Sequence, residues 1–166
     1  MRERADHAMG GKVVIDASVA AMWAVPEAYS DHALSLVRRW AGEKVQLFTP
    51  CLMLSEVNNA IYKRVTRKEF TMTEAKAALQ VILSFPFEIK DSGRLQIRAM
   101  ELAQQLGRPA TYDCQYLALA ELERCELWTG DRRLRNAVAN RLSWVHWVGE
   151  IRLPRDEETS AESESS

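Results

Sequence analysis

Short apolar segments alternate with longer amphipathic segments along this 166-residue chain, and this alternation is the strongest constraint on its fold. Segments with the helical periodicity of about 3.6 residues separate the short ones. Strands separated by helices favour a parallel sheet that helices cover on both faces. The sequence therefore predicts an α/β fold with five parallel strands, over residues 13–16, 45–48, 87–89, 127–129 and 144–148.

Periodicity and capping residues together predict where the helices begin and end. We expect helices over residues 18–24, 30–41, 50–67, 73–84, 92–107, 112–123 and 131–139. A side-chain oxygen at the N-cap accepts a hydrogen bond from an amide of the first turn, and the residues predicted to do so are Ser18, Thr73, Ser92, Thr111 and Asp131. With Ser18 in this role, Asp16 is left free for another task.

The two ends of the chain differ in composition from residues 12–150, which we interpret as one domain. Residues 1–11 predict a disordered leader, and Met9 is a candidate for the true start. Residues 151–166 are rich in Ser and Glu and predict a disordered acidic tail. No apolar stretch approaches the roughly 20 residues of a membrane span, and the N-terminus lacks a signal peptide's apolar core. Three cysteines without a CxxC pair fit reduced thiols, so we expect a cytoplasmic protein.

Four acidic residues stand near the predicted carboxyl ends of strands or early in the helices that follow. Asp16 ends the first strand and Asp131 follows the fourth, whereas Glu56 and Asp113 lie in first helical turns. Parallel sheets bind ligands outside the carboxyl ends of their strands, so these residues can converge at one edge. Gathered carboxylates repel one another and persist as ions beside a hard divalent cation. The pattern indicates a metal-dependent phosphodiesterase site.

Each of these acids also has a purely structural explanation. Asp16 and Asp131 suit turns or helix N-caps, and Asp113 suits the positive end of a helix dipole. Glu56 can share an exposed helix face with Lys63. The joint placement of the four, rather than any one of them, therefore supports a site.

The charge of the chain is unevenly distributed. Residues 154–166 hold one Arg and five acids, a net −4 within a total of −1, so the rest of the chain carries +3. Basic clusters around Lys63 and Arg132 can contact the phosphates of an RNA backbone. Taken alone, such clusters are more typical of solvated helix faces. Charge permits a nucleic-acid substrate without demonstrating one.

Four stretches, in order, resemble the successive signatures of PIN domains: VVIDASVAAMWAVPE, TPCLMLSEVNNAIYKR, TYDCQYLALAELE and LWTGDRRL. They are most similar to the VapC-type toxins of bacterial toxin–antitoxin pairs, and the resemblance covers roughly residues 12–148. It implies a PIN-like fold, with a five-stranded parallel sheet and helices on both faces. It also implies Mg²⁺- or Mn²⁺-dependent endoribonuclease activity, homodimerisation, and inhibition by a VapB-type antitoxin.

The same resemblance implies which residues carry the chemistry. Asp16 and Asp113 are expected as direct metal ligands, and Glu56 and Asp131 as acting through water. Gly130 is a small variant of the family's Thr-x-Asp turn that removes no ligand. The acidic quartet and its polar accessories fall on Asp16, Glu56, Asp113, Asp131, Ser18, Asn59 and Thr129.

Three other interpretations remain open from the sequence. A PIN-fold nuclease of RNA processing would lack a neighbouring antitoxin gene. A catalytically quiet PIN binding module would show no effect of metal ions. A phosphatase of the HAD type needs a second Asp two residues after the first, where this chain has Ser18.

Overall fold

Five parallel strands form the centre of the fold in the computed structural model, which describes residues 11–153. In chain order, β1 to β5 are Lys12–Ile15, Gln46–Thr49, Phe87–Ile89, Glu126–Thr129 and Val145–Trp147. Their order across the sheet is β3-β2-β1-β4-β5. The predicted α/β fold with five parallel strands is confirmed. The predictions of a leader and an acidic tail fall mainly on residues 1–10 and 154–166, outside the described part.

Within residues 11–153, seven α-helices connect and flank the strands. In chain order, α1 to α7 are Ala17–Met22, Ser30–Gly42, Leu52–Thr66, Met72–Leu83, Gly93–Gln105, Tyr112–Glu123 and Arg132–Val138. Three predicted N-caps need correction. Thr71 rather than Thr73 caps α4, because its side chain and Glu74 form a reciprocal capping box. Thr111 stands at the N-cap of α6 but its side chain makes no capping hydrogen bond. Asp16 rather than Ser18 caps α1, as detailed below.

The strand order indicates the edge at which a sheet of this kind binds ligands. The chain leaves β1 for β2 and β3 on one side, and then crosses back to place β4 on the other side of β1. The connections therefore reverse direction between β1 and β4, and open parallel sheets bind ligands at the carboxyl ends of two such strands. Ile15 and Thr129 are the last residues of these strands, and both are fully buried.

The core lies around this central pair of strands. Val14, Ile15 and Leu127 are fully buried, as are Leu117 and Ala118 of α6. Because α6 packs on β1 and β4, its first turn is held near the carboxyl ends of both strands. Within residues 11–153, every helix is too short or too polar to cross a membrane.

Candidate active site

Asp16 is a buried carboxylate at the carboxyl end of β1, with 7% of its surface exposed. Its Oδ1 accepts hydrogen bonds from Ser18 Oγ at 2.5 Å and from the Val19 amide at 3.1 Å. Its Oδ2 accepts a hydrogen bond from the Thr129 hydroxyl at the end of β4. Asp16 is thus the N-cap of α1, and the expectation that Ser18 takes this role is wrong. Ser18 lies inside the helix and donates to Asp16 instead.

The segment after β4 is tied to the same carboxylate. The Gly130 amide donates to Ser18 Oγ at 2.8 Å, and the Asp131 amide donates to Thr129 Oγ1 at 2.9 Å. The two hydroxyls therefore bridge the ends of β1 and β4. The structure places two of the three polar accessories, Ser18 and Thr129, directly against Asp16.

Glu56 and Asp113 approach this point from α3 and α6. Glu56 lies in the second turn of α3, and its Oε1 accepts a hydrogen bond of 2.6 Å from the Tyr116 hydroxyl. Asp113 lies in the first turn of α6, where Arg108 Nη2 donates to its Oδ2 at 2.7 Å. Both carboxylates are partly buried, and each has one partner from a different part of the chain.

The pKa values indicate that the acids influence one another. Burial raises the pKa of Asp16 to about 6, hydrogen bonds from Ser18, Thr129 and Val19 oppose the rise, and the charge of Glu56 adds to it. Burial also raises the pKa of Glu56, against the hydrogen bond from Tyr116, and the charge of Asp113 adds to that rise. Asp16, Glu56 and Asp113 are therefore electrostatic neighbours. For Asp16 and Glu56, added positive charge would stabilise the ionised form that burial disfavours.

Asp131 has a different arrangement. Its side chain is exposed and caps α7, with Oδ1 accepting from the amides of Arg133 at 2.8 Å and Leu134 at 3.4 Å. The predicted capping role is confirmed. Its backbone belongs to the site through the bond to Thr129, whereas its carboxylate is engaged by its own helix.

The other predicted residues lie on α3 and α7. Asn59 and Lys63 are exposed on α3, and Asn59 lines a shallow groove with Ser55 and Tyr62. Glu56 is the half-buried member of the helix face that these residues were expected to share. The Arg132 guanidinium lies over the ring of Trp147 at 5.0 Å, which is a cation–π arrangement.

The donors at the site fit a hard divalent cation. They are carboxylate and hydroxyl oxygens, which Mg²⁺ and Mn²⁺ prefer, and the buried Asp16 carboxylate needs compensating charge. Within residues 11–153, no three His, Cys, Asp or Glu side chains already form a group that could hold a metal ion. Arg108 provides the positive charge beside Asp113, through a partly exposed ion pair that is weak enough to exchange. The assignment of Asp16 and Asp113 as ligands stays a prediction.

Sequence reasoning missed two residues at this site, Tyr116 and Arg108. Tyr116 follows Asp113 by three positions, so a helical projection places both on one face of α6. That spacing was the available signal, although it could not identify Glu56 as the partner. Burial and the Glu56 carboxylate raise the pKa of Tyr116 well above its usual range, so its phenol keeps the proton that it donates. Arg108 lies in the loop before α6, and no periodicity points to it.

Gly130 is required by close packing rather than being a neutral variant of the turn. A Cβ at this position would lie 2.6 Å from Met22 Cε and 2.9 Å from Ser18 Oγ. The Met22 methyl group can move, but Ser18 Oγ is held by its bonds to Asp16 and to the Gly130 amide. Adding a methyl group here must therefore displace the Asp16–Ser18 pair or the end of β4.

We expect Gly130→Ala to destabilise the protein by about 1–3 kcal/mol, the usual cost of overpacking, and to weaken any activity that depends on Asp16. The measurement is denaturant unfolding followed by circular dichroism. Gly93→Ala is the matched control, because a Cβ at Gly93 meets nothing within 4 Å. A Gly130→Ala protein as stable as the Gly93→Ala protein would contradict the packing argument.

Sequence comparison identifies a matching family and a related protein. The family model for the PIN domain matches residues 13–140. Ribonuclease VapC3 from Pyrobaculum aerophilum is 32% identical over 124 residues, which cover 74% of this chain and 92% of that protein.

Solved structures agree in fold. VapBC2 from Rickettsia felis, bound to a DNA fragment from its promoter, aligns with a TM-score of 0.61 and 14% identity over 82% of this chain and 98% of that one. VapC20 from Mycobacterium tuberculosis, a toxin that cleaves the sarcin–ricin loop, aligns with a TM-score of 0.56 and 20% identity over 75% and 94%. At these identities the likeness concerns the fold alone.

Proposed function

Because the chain belongs to the PIN domain family, we propose that it is a divalent-cation-dependent endoribonuclease acting as the toxin of a toxin–antitoxin pair. The observation that carries the proposal is the buried Asp16 carboxylate at the sheet's ligand-binding edge, with Glu56 and Asp113 as charged neighbours. A scaffold has no use for carboxylates whose ionised forms disfavour one another. A phosphodiesterase uses them to bind a cation, preferably Mg²⁺ and alternatively Mn²⁺.

In this proposal Asp16 and Asp113 hold the cation directly, and Glu56 and Asp131 act through water. When bound, the cation supplies charge that stabilises the oxygens of the phosphate under attack and makes water a better nucleophile. Ser18 and Thr129 keep the Asp16 carboxylate in one orientation, because each occupies one of its two oxygens. The chain thereby fixes its most buried acid before substrate arrives.

The basic residues near this edge are proposed to hold the RNA. Lys63 lies on the exposed side of α3 and Arg132 at the first position of α7, so they flank the acids from the two helices that follow β2 and β4. Arg108, beside Asp113, is a third positive charge in the same region. Contacts of this kind position the phosphate backbone and carry no base specificity.

The proposed partners follow from the related proteins. Because a related ribonuclease is a VapC protein and a structural neighbour is a VapC toxin, we infer that a VapB-type antitoxin inhibits this chain. We propose in addition that the protein forms a homodimer and is located in the cytoplasm. Co-purification from cells that also express the gene adjacent to this one is the direct measurement of the antitoxin pairing.

The activity is tested with the purified full chain and a uniformly labelled RNA. We expect endonucleolytic fragments with Mg²⁺ or Mn²⁺, and none with a chelator, because the acids alone provide no positive charge for the reacting phosphate. Restoring the cation should restore cleavage. The proposed function fails if RNA stays intact both with Mg²⁺ and with Mn²⁺. If the protein binds these cations but does not cleave RNA, a catalytically quiet binding module becomes the better interpretation.

A further inference from the structure

Tyr116 connects the three segments that carry the neighbouring acids. It lies one helical turn after Asp113 on α6, and its hydroxyl donates to Glu56 Oε1 on α3 at 2.6 Å. Its phenol oxygen also interacts with the backbone amide of Ala17, the residue after Asp16. Only 2% of the surface of Tyr116 is exposed. One rigid side chain thus touches α3 and the start of α1 from the helix that bears Asp113.

We propose that Tyr116 is a positioning residue that holds the Glu56 carboxylate in its working orientation for cation binding. The hydroxyl occupies Oε1, and Oε2 takes no part in this hydrogen bond. One oxygen of Glu56 is therefore fixed and the other stays available. The inference rests on the proposed function, because it assigns Tyr116 a task within that site.

The physical reason lies in how little else restrains Glu56. Its side chain has three rotatable bonds, it is half-buried, and the charge of Asp113 pushes against it. A desolvated carboxylate without a donor would rotate toward water, since a buried charge needs a hydrogen bond or a partner. The Tyr116 ring is held by the core, so its hydroxyl can supply that donor at a fixed point. Phenylalanine would keep the ring and remove only the donor.

The experiment is a double-mutant cycle with the full chain: wild type, Tyr116→Phe, Glu56→Ala and the double variant. The measurements are kcat and KM for RNA cleavage, and the Mn²⁺ dissociation constant from calorimetry without RNA. We expect Tyr116→Phe to lower kcat about 10-fold or more with little change in KM, as for the loss of a hydrogen bond to a charged group. Mn²⁺ affinity should fall several-fold. In the Glu56→Ala background, Tyr116→Phe should change neither quantity.

A purely structural role would give a different pattern. Tyr62→Phe is the matched control for the deciding measurement, because Tyr62 is 52% exposed on α3 and its loss of a hydroxyl should leave the Mn²⁺ affinity unchanged. Wild-type kcat and Mn²⁺ affinity in Tyr116→Phe would overturn the proposal. So would an equal loss of Mn²⁺ affinity with and without Glu56, since Tyr116 would then act through something else. Melting temperatures of all variants show whether each is folded.

The cycle separates this inference from the proposed function. If wild type cleaves RNA and Tyr116→Phe cleaves equally well, the function stands and the inference fails. If no variant cleaves RNA but Mn²⁺ affinity depends on Tyr116 only when Glu56 is present, the inference stands and the nuclease activity fails. Calorimetry without RNA is therefore the deciding measurement for Tyr116.

Discussion

Asp16→Asn is expected to abolish RNA cleavage while the protein stays folded. Rates should fall by about three orders of magnitude or more, because several kcal/mol of charge stabilisation are lost with a cation ligand. Asparagine fits the site, since its carbonyl oxygen can accept the bonds that Ser18 and Val19 make to Oδ1. Its amide nitrogen can then face the Thr129 hydroxyl, which also accepts hydrogen bonds.

The measurement is single-turnover cleavage of labelled RNA at saturating Mg²⁺, with circular dichroism on the same samples. Asp31→Asn is the matched control, because Asp31 is an exposed acid in the first turn of α2, a helix that carries none of the four site acids. That variant should retain wild-type rates. Wild-type cleavage by Asp16→Asn would remove Asp16 from the metal site and with it the main support for the proposed activity.

The second large effect concerns stability. Asp16 has a folded-state pKa of about 6, against a reference value of 3.8, so folding favours its protonated form. Ionisation of Asp16 therefore destabilises the fold. The stabilising contribution of the protonated carboxyl is fully present below pH 4 and is lost as the pH rises from about 4 to about 6. The loss at pH 7 is on the order of 3 kcal/mol, from about 1.36 kcal/mol for each pKa unit. The raised pKa of Glu56 acts in the same direction.

A divalent cation should reverse much of this loss, because it binds the ionised carboxylates of the folded chain. The test is the free energy of unfolding between pH 4 and pH 8, with a chelator and then with Mg²⁺. Other carboxylates have lowered pKa values, such as Glu121 beside Arg98, and they oppose the trend. The informative quantity is therefore the difference between wild type and Asp16→Asn, which cancels them. A difference that does not vary with pH would contradict the buried-charge argument.

The sheet could be predicted because each strand is a short apolar run with a clear end. The same property placed Asp16 and Asp131 correctly beside the ligand-binding edge. The N-cap residue of a helix was harder to predict where two residues suited to capping lie close together in the sequence. Thr71 and Thr73 both suit an N-cap, and only the spacing from Thr71 to Glu74 distinguishes them. Likewise, Asp and Ser are both favoured at N-caps. Asp16 caps α1, whereas the hydroxyl of Ser18 donates to Asp16 and accepts from the Gly130 amide.

Long-range partners could not be predicted from the sequence. Tyr116 and Glu56 are 60 positions apart, and no periodicity within α3 or α6 indicates that the two helices meet there. The face of α3 shared by Glu56, Asn59 and Lys63 was a reasonable expectation from helical spacing. In the structure Glu56 is partly buried, whereas Asn59 and Lys63 are exposed, so only the first member of that face lies at the site.

The hydrogen bonds around Asp16 have a consequence for how ligands bind. Its donors, Ser18, Val19 and Thr129, belong to α1 and to the end of β4, which are parts of the folded core rather than mobile loops. Little conformational entropy remains to be lost when a ligand arrives, because the carboxylate is already fixed. Changes on the outer surfaces of α3 and α7 can therefore alter which RNA is bound without disturbing the chemical centre. A fixed Asp16 carboxylate thus permits related proteins to differ in the RNA that they bind while they keep the same chemical centre.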